Sequence, residues 1–505
     1  MFDRMRLAVG LIALCPIVAL STNSNSRTNA QTLLAENGDS YGLAPSIALA
    51  SLSSGQFSTI SHTAFPGHSA RIKKSNFCDG NVTAYTGYID SGTRHLFFYF
   101  FESRNDPDND DVMLWTNGGP GSSSALGLLT ELGPCNIVSE NETKYNPYSW
   151  NSNANIFFID QPVGTGFSYA GFGETVSTTE EAAKDIASFI AIFLEVFKNF
   201  KGRALHLSGE SYAGRYLPLF ATAIYDQNAA LIEKGISPIN LKSILIGNGA
   251  TDIFNLLLSY HSISCTRASL DPVQSVSVCV RMKQIMPRCE KRLKEVCIDH
   301  FDKIDYTAIF KTCWDELAEP YNTLGLNHYD MTMKCDNPAE SDCYDEQRSI
   351  EEYLNDPSVR VELGVESTFG NYSGSAMDVG LAFLANGDLL HTNQVYVSEL
   401  LEHDVKVLIY AGTYDWVCNW VGNERWTLDM EWSGQEAFRN EALGEWYVDG
   451  KAAGKFRKHG NLAFATIYGA GHLLLTTNRR NLWRWYNAAC RTSHSKSQRK
   501  SLSAK

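Results

Sequence analysis

At 505 residues the chain exceeds one ordinary domain, although α/β enzymes with insertions reach this length as a single catalytic unit. Its 44% hydrophobic and 11% aromatic content is enough for a large core and excludes a disordered chain. The net charge of −13 argues against a nucleic-acid partner, because no basic surface offsets phosphate repulsion.

The chain opens with Arg4 and Arg6, an apolar run from Leu7 to Leu20, and then polar residues. This is the layout of a secretory signal peptide over residues 1–20, and the run is too short to span a bilayer, which takes about 20 apolar residues. No later window has the apolarity of a membrane helix, so no membrane anchor is expected. Residues 21–70 are rich in Ser, Ala, Asn and Gly and read as a propeptide or flexible arm outside the core. The sequons at Asn81, Asn141 and Asn371 fit glycosylation during passage through a secretory lumen, toward the exterior or a vacuole or lysosome. Of twelve cysteines, Cys15 lies in the signal, and the remaining eleven suit an oxidising compartment with at least one free thiol.

Order is expected to begin near Phe77-Cys78, opening a first core part over 71–254. The segments Thr83–Asp90 and His95–Glu102 alternate as paired strands. The run Phe97-Phe98-Tyr99-Phe100-Phe101 is too continuous for a half-exposed strand and belongs inside the sheet. Val112–Thr116 is a buried strand ending at Asn117-Gly118-Gly119-Pro120-Gly121. A glycine pair after a strand frees backbone N–H groups to face a ligand, and equally makes a tight turn. Ser124–Leu132 reads as a helix, and Asn155–Asp160 as another strand. Thr179–Phe197 carries an apolar stripe at 186, 189, 190, 193, 194 and 197, the period of an amphipathic helix.

Leu205–Ser208 is an apolar strand running into Gly209-Glu210-Ser211-Tyr212-Ala213-Gly214, with a helix over Arg215–Leu231 after it. A serine at such a corner is held out of the sheet with the next N–H facing the same point, the geometry of a nucleophile elbow. Leu241–Ile246 follows as a strand ending in Gly247-Asn248-Gly249. Strands alternating with helices imply a mostly parallel α/β sheet flanked by helices. Between 255 and 350 seven cysteines (265, 279, 289, 297, 313, 335, 343) crowd a segment without sheet-like runs. It reads as a disulfide-rich cap insertion with local helices such as Pro272–Met286. Internal pairing leaves one cysteine to reach Cys78, Cys135 or Cys490. The second core part, 351–490, holds strands at Val405–Tyr410 and Leu462–Tyr468. The tail 491–505 is basic, Ser-rich and expected to be disordered.

A serine hydroxyl needs a base, and the base needs an acid to fix its tautomer and stabilise its charge. On an α/β-hydrolase sheet they arrive in the order Ser, Asp/Glu, His at strand ends. Asp160 precedes the serine and Asp252 comes directly after the next strand, so Asp415 fits better. His459 sits in a basic loop, whereas His472 follows a strand in a glycine-lined turn and is the better base. Glu210, beside Ser211, would repel an anionic transition state if ionised. A protonated or shared carboxyl, with Glu131 as sharer, instead hydrogen-bonds a substrate carboxylate and favours work below neutral pH.

Five stretches carry a resemblance to a known family: Trp115–Gly121, Asp160–Tyr169, Gly209–Gly214, Tyr414–Trp420 and Gly469–His472. The chain resembles the serine carboxypeptidases, secreted and vacuolar enzymes of the α/β-hydrolase fold. The resemblance implies Ser211, Asp415 and His472 as the triad, with the N–H groups of Gly119 and Tyr212 as the oxyanion hole. It also implies Asn117, Gly118, Glu131 and Glu210 around the substrate's terminal carboxylate, Trp115 beneath them, and Cys418 as a free thiol near the site. Leu473-Leu474-Leu475 and Thr116 depart from the family's habit, the first bearing on leaving-residue preference. The expected activity is release of C-terminal residues from peptides and proteins through an acyl-enzyme, best at acidic pH. A carboxypeptidase-like acyltransferase or esterase and a non-catalytic peptide-binding glycoprotein are the alternatives. No metal or cofactor motif is present: no H-E-x-x-H, phosphate-binding loop or dinucleotide fingerprint.

Overall fold

The computed structural model describes residues 47–78, 80, 82–299, 303–335 and 343–474. The signal segment, the arm up to 46, Asn81, Cys490 and the basic tail lie outside the described residues.

The chain enters through strands β1 (Ser58–Ser61), β2 (His68–Ser75), β3 (Ala84–Ser91), β4 (Arg94–Phe101) and β5 (Val112–Thr116). After helix α1 (Ala125–Thr130) come a small hairpin, β6 (Cys135–Ser139) and β7 (Glu142–Tyr145), then β8 (Asn155–Ile159) and the short β9 (Tyr169–Ala170). Helix α2 (Thr179–Val196), β10 (Ala204–Glu210), α3 (Ala213–Glu233) and β11 (Asn240–Gly247) follow in alternation. The chain rejoins the sheet at β12 (Lys406–Gly412) and closes with β13 (Gly444–Val448), β14 (Lys451–His459) and β15 (Leu462–Ile467).

One 13-stranded sheet results, in the order β1-β2-β3-β4-β8-β5-β10-β11-β12-β15-β14-β13 with β9 on β4. The run β8-β5-β10-β11-β12-β15 is parallel throughout. Both flanks are antiparallel, β1 to β4 on one side and β14-β13 on the other, so the expected parallel centre sits within a mixed sheet. Short connections explain the flanks: a hairpin turn can only return a strand antiparallel, whereas each parallel neighbour needs a crossover.

The sheet also starts earlier than expected. β1 and β2 are hydrogen-bonded into it, and Leu49, Leu52 and Ile60 are buried in the core, although residues up to 70 had read as lying outside it. The aromatic run of β4 divides by parity as strand geometry demands. Phe98 and Phe100 pack with α2 and α3 on one face; Phe97, Tyr99 and Phe101 pack with α1 on the other. Helix α2 is capped by Thr178, whose side chain accepts the Glu181 N–H, and buries the stripe Ile186, Phe189, Ile190 and Phe193.

Everything between Gly247 and Lys406 lies outside the main sheet, a longer excursion than 255–350. It opens with helices α4 (Ile253–Cys265), α5 (Val276–Leu293) and α6 (Lys303–Leu317) around a core of their own. Then come α7 (Asp345–Asn355), α8 (Pro357–Leu363), α9 (Met377–Asn386) and α10 (Gln394–Glu402). Disulfides Cys265–Cys279, Cys289–Cys313 and Cys335–Cys343 close short loops within it. Cys78 and Cys135 pair with each other across the first core part, so neither takes a cysteine from the insertion. The side chain of Cys297 lies outside the described residues. Cys418 is the free cysteine among those described, and it is buried.

Candidate active site

The parallel strands deliver their carboxyl ends to one edge of the sheet, where ligands bind in such folds. Register pairs Gly209 with Thr116, Glu210 with Gly247, Gly247 with Tyr410 and Gly412 with Ile467, so the residues that follow are neighbours in space. Ser211 stands at the corner between β10 and α3 with φ of 63°, a left-handed backbone uncommon for a residue with a side chain. Such strain persists where the surroundings over-determine it. Here the Ser211 N–H donates to Gly247 O and Asn248 O, both at 3.1 Å, and its carbonyl accepts from Ala250 N at 2.8 Å. The small residues around it are sterically required. A Cβ on Gly209 would lie 2.3 Å from Thr116 O and 2.7 Å from Ala213 Cβ, and one on Gly214 2.7 Å from Thr251 Oγ1.

Asp415 follows β12 and His472 follows β15. Both are buried, and His472 Nδ1 lies 2.8 Å from Asp415 Oδ2. Burial pushes the Asp415 carboxyl above its ordinary range, and the His472 imidazole opposes that shift. Asp415 Oδ1 also accepts the Cys418 N–H at 3.3 Å. With Nδ1 engaged, Nε2 is the nitrogen left for a hydroxyl. Tyr329, from the insertion, braces the histidine: His472 N donates to Tyr329 O at 2.7 Å, and the two rings are 4.9 Å apart. Cys418 completes the one group among the described residues whose ligand atoms, with those of Asp415 and His472, lie within 4.8 Å of one another.

The residues expected around a substrate carboxylate also converge. Trp115 Nε1 donates to Asn117 Oδ1 at 2.8 Å, which accepts the Gly127 N–H as well at 3.0 Å; Asn117 Nδ2 donates to Glu210 Oε1 at 2.9 Å. The oxygen of Asn117 is thus saturated, and its amide is turned onto the acid. Burial and the adjacent Glu131 carboxyl push Glu210 well above the ordinary carboxylate range. Gly118 carries no side chain because the elbow occupies its place: a Cβ there would be 2.2 Å from Tyr212 N and 2.8 Å from Ser211 Cβ. The Gly118-Gly119 turn therefore lies against the Tyr212 N–H. Among the described residues, no backbone carbonyl accepts from Gly119 N or Tyr212 N.

Beside Ser211 opens a cavity of about 110 Å³. Its walls are apolar, with Ile253, Leu256 and Tyr260 from α4, Leu381 and Leu384 from α9, and Cys418. Burial pushes the Cys418 thiol well above its usual range, so it stays protonated there.

One cluster near the nucleophile was not legible in the sequence. Asp388, just after α9, accepts from Tyr212 Oη at 2.7 Å, Thr179 Oγ1 at 2.7 Å, Thr179 N at 2.9 Å and Arg215 Nε at 3.3 Å. Arg215 is buried and reaches Glu180 at 2.6 Å and Asn393 as well. The signal in the sequence is Arg215 itself, in the first turn after the elbow: once buried there, it needs a carboxylate from elsewhere.

The passed-over residues have structural work. Asp160 binds Ser123 Oγ, Ser124 N and Phe167 N, with burial raising its pKa to about 6. Asp252 caps α4 by accepting the Asn255 N–H, and burial raises it likewise to about 6. His459 ends β14 rather than lying in a loop, 3.9 Å from Glu441. Asn141 and Asn371 are both exposed. Among the described residues no helix is long and apolar enough to cross a membrane.

A parallel-centred sheet flanked by helices, with a strained serine at a strand-to-helix corner, defines a hydrolase of the α/β class. The family model for serine carboxypeptidases matches residues 76–487, and the chain belongs to that family. It is 40% identical over 397 residues to the vacuolar serine-type carboxypeptidase ATG42 of Saccharomyces cerevisiae, covering 78% of this chain and 76% of that one. It is 41% identical over 409 residues to carboxypeptidase Y homolog A of Fusarium vanettenii, covering 80% and 73%. Among solved structures it resembles Kex1(delta)p, a prohormone-processing carboxypeptidase from Saccharomyces cerevisiae, with a TM-score of 0.70. That match covers 90% of this chain and 95% of the other at 23% identity, a likeness of fold. The enzyme is a serine-type carboxypeptidase, an exopeptidase whose substrates are peptides or proteins.

Proposed function

We propose that Ser211, His472 and Asp415 form the catalytic triad and that the enzyme works best at acidic pH. His472 Nε2 takes the Ser211 hydroxyl proton as Oγ attacks the last peptide carbonyl, and Asp415 stabilises the imidazolium. The oxyanion is held by the N–H groups of Gly119 and Tyr212. The C–N bond breaks as His472 returns the proton to the departing amino acid, and water then releases the acyl group by the same route. Asn117, the Gly118 backbone, Glu131 and Glu210, over Trp115, bind the terminal carboxylate, which restricts cleavage to chain ends. The apolar cavity receives the side chain preceding the scissile bond, so apolar residues are favoured there.

The observation that carries this reading is the left-handed Ser211 at the corner, with the His472–Asp415 pair at 2.8 Å on the same sheet edge. Acidic working conditions follow from a carboxyl pair that must keep a proton to accept a carboxylate. The exposed Asn141 and Asn371 and the apolar leader support a glycoprotein of the secretory route, delivered to a vacuole or outside the cell. The test is mass spectrometry of N-terminally blocked peptides at about pH 4–7, with Ser211→Ala alongside. A ladder of single C-terminal losses is expected, absent with Ser211→Ala and weakened by C-terminal amidation. A ladder that survives Ser211→Ala defeats the triad assignment.

A further inference from the structure

The three residues of the proposed triad leave three different strands: Ser211 follows β10, Asp415 β12 and His472 β15. Ladder hydrogen bonds align strands, but the loops beyond the last ladder bond need their own ties. β11 lies between β10 and β12 and delivers no member of the triad. The next residue, Asn248, has no measurable exposure and a φ of 40°, a left-handed backbone that asparagine tolerates better than most residues.

Its side chain uses both of its N–H donors and its oxygen. Nδ2 donates to Gly471 O at 2.9 Å and to His472 O at 2.8 Å, and Oδ1 accepts the Gly412 N–H at 2.7 Å. Its backbone N–H donates to Tyr410 O at 2.8 Å, and its carbonyl accepts the Ser211 N–H at 3.1 Å. The serine corner, the end of the aspartate strand and the histidine loop are therefore all bonded to one residue. The loops around it are pressed backbone to backbone: a Cβ on Gly412 would lie 2.3 Å from Gly471 O and 2.4 Å from Ala470 O. No other side chain of this size offers two N–H donors and an acceptor. Aspartate has no donor for the two carbonyls, serine has one hydroxyl, and glutamine is a methylene longer.

We infer that Asn248 is a positioning residue for the hydrolysis, holding the His472 loop in register with Ser211. This rests on the triad reading above. Asn248 touches neither substrate nor reacting atoms and acts through the His472 backbone. The alternative is a buried asparagine that only stabilises the fold. The two differ in a measurable way: a purely structural residue changes how many molecules are folded, not how fast each folded site turns over.

The experiment compares Asn248→Asp and Asn248→Ser with the parent enzyme, counting functional sites by reaction of Ser211 with a fluorophosphonate taken to completion. Asn248→Asp keeps the acceptor for Gly412 N–H and loses both donations to the histidine loop. Its expected kcat per titrated site falls about 100-fold, the effect of roughly 1 Å of misplacement, while KM for a blocked dipeptide stays within about threefold. The fluorophosphonate reaction slows in parallel, because it needs the same alignment of His472 and Ser211. Asn248→Ser is read the same way if the aspartate variant does not fold. A lower melting temperature with parental kcat per titrated site, in either variant, overturns the inference. Ser211→Ala separates the two claims: turnover surviving in it sinks the triad reading, whereas its loss beside unimpaired Asn248 variants sinks this one alone.

Discussion

Glu210 gives the prediction with the most to lose. It is buried, Asn117 Nδ2 donates to its Oε1 at 2.9 Å, and burial together with Glu131 holds it protonated to higher pH than an ordinary carboxyl. A neutral acid donates a hydrogen bond to the substrate's terminal carboxylate, and an ionised one repels it. Because the pKa is raised, binding is lost on raising the pH and not on lowering it. Above that pKa the affinity for a free-acid substrate falls about tenfold per pH unit, ~1.4 kcal/mol. The assay measures kcat/KM for two blocked dipeptides that differ only in a free or amidated C-terminus, over about pH 4–8. Their ratio cancels the pH dependence of the chemical step, which serves both substrates alike. The ratio should be high at low pH and decline toward one decade per pH unit once Glu210 titrates. Glu210→Gln keeps an acceptor for Asn117 and has no proton of its own to lose, so its ratio should lose the part of the slope that Glu210 contributes. At low pH it forfeits no more than one hydrogen bond to a charged group, about 1.5–3 kcal/mol, or 10- to 150-fold. A glutamine variant that keeps the parental slope would refute this account of carboxylate recognition. The same shift makes Glu210 favour the folded state below the ordinary carboxylate pKa, a contribution lost as pH rises through the folded-state value.

Two further predictions follow from steric and ionic arrangements near the elbow. Gly118→Ala places a methyl 2.2 Å from Tyr212 N, so the corner must move, and kcat per titrated site should fall about 100-fold or more; parental turnover would mean the Gly118-Gly119 turn has slack. Asp388→Ala leaves the buried Arg215 without its main carboxylate and should cost about 3–5 kcal/mol in urea unfolding. Asp388→Asn, which keeps an acceptor for Tyr212 Oη, should cost less; an unchanged midpoint in the alanine variant contradicts the idea that this carboxylate ties the insertion to α3.

What could be read from the chain alone was what neighbouring residues impose on one another. Small residues at 209, 213 and 214 announce a strand-to-helix corner because any larger group collides there, and the apolar spacing over 179–197 announces α2. The alternation of strands and helices announced a parallel centre, and the odd cysteine count announced a free thiol. The order Ser, Asp, His at strand ends suggested an α/β-hydrolase arrangement, and five motif stretches carried the resemblance to the family, before any contact was known. β1 and β2 escaped because Ser58-Thr59-Ile60-Ser61 holds a single apolar residue; its place comes from pairing with β2 rather than from its own pattern. The β13–β14 hairpin escaped for a similar reason, since a half-exposed flank needs little apolar content.

Tertiary structure alone decided the rest. Tyr212 and Asp388 are 176 residues apart, and Asn248 and His472 are 224 apart. Cys78 chose Cys135 across 57 residues, although ten other cysteines compete in the chain. Local preference costs little entropy to express and leaves a mark in adjacent residues, whereas a distant pairing forms only after packing has closed the loop between its partners. The sequence determined the corner, helices α2 and α3 and the chemistry of each strand end; the packed sheet edge decided which carboxylate meets Arg215, and which asparagine reaches the histidine loop.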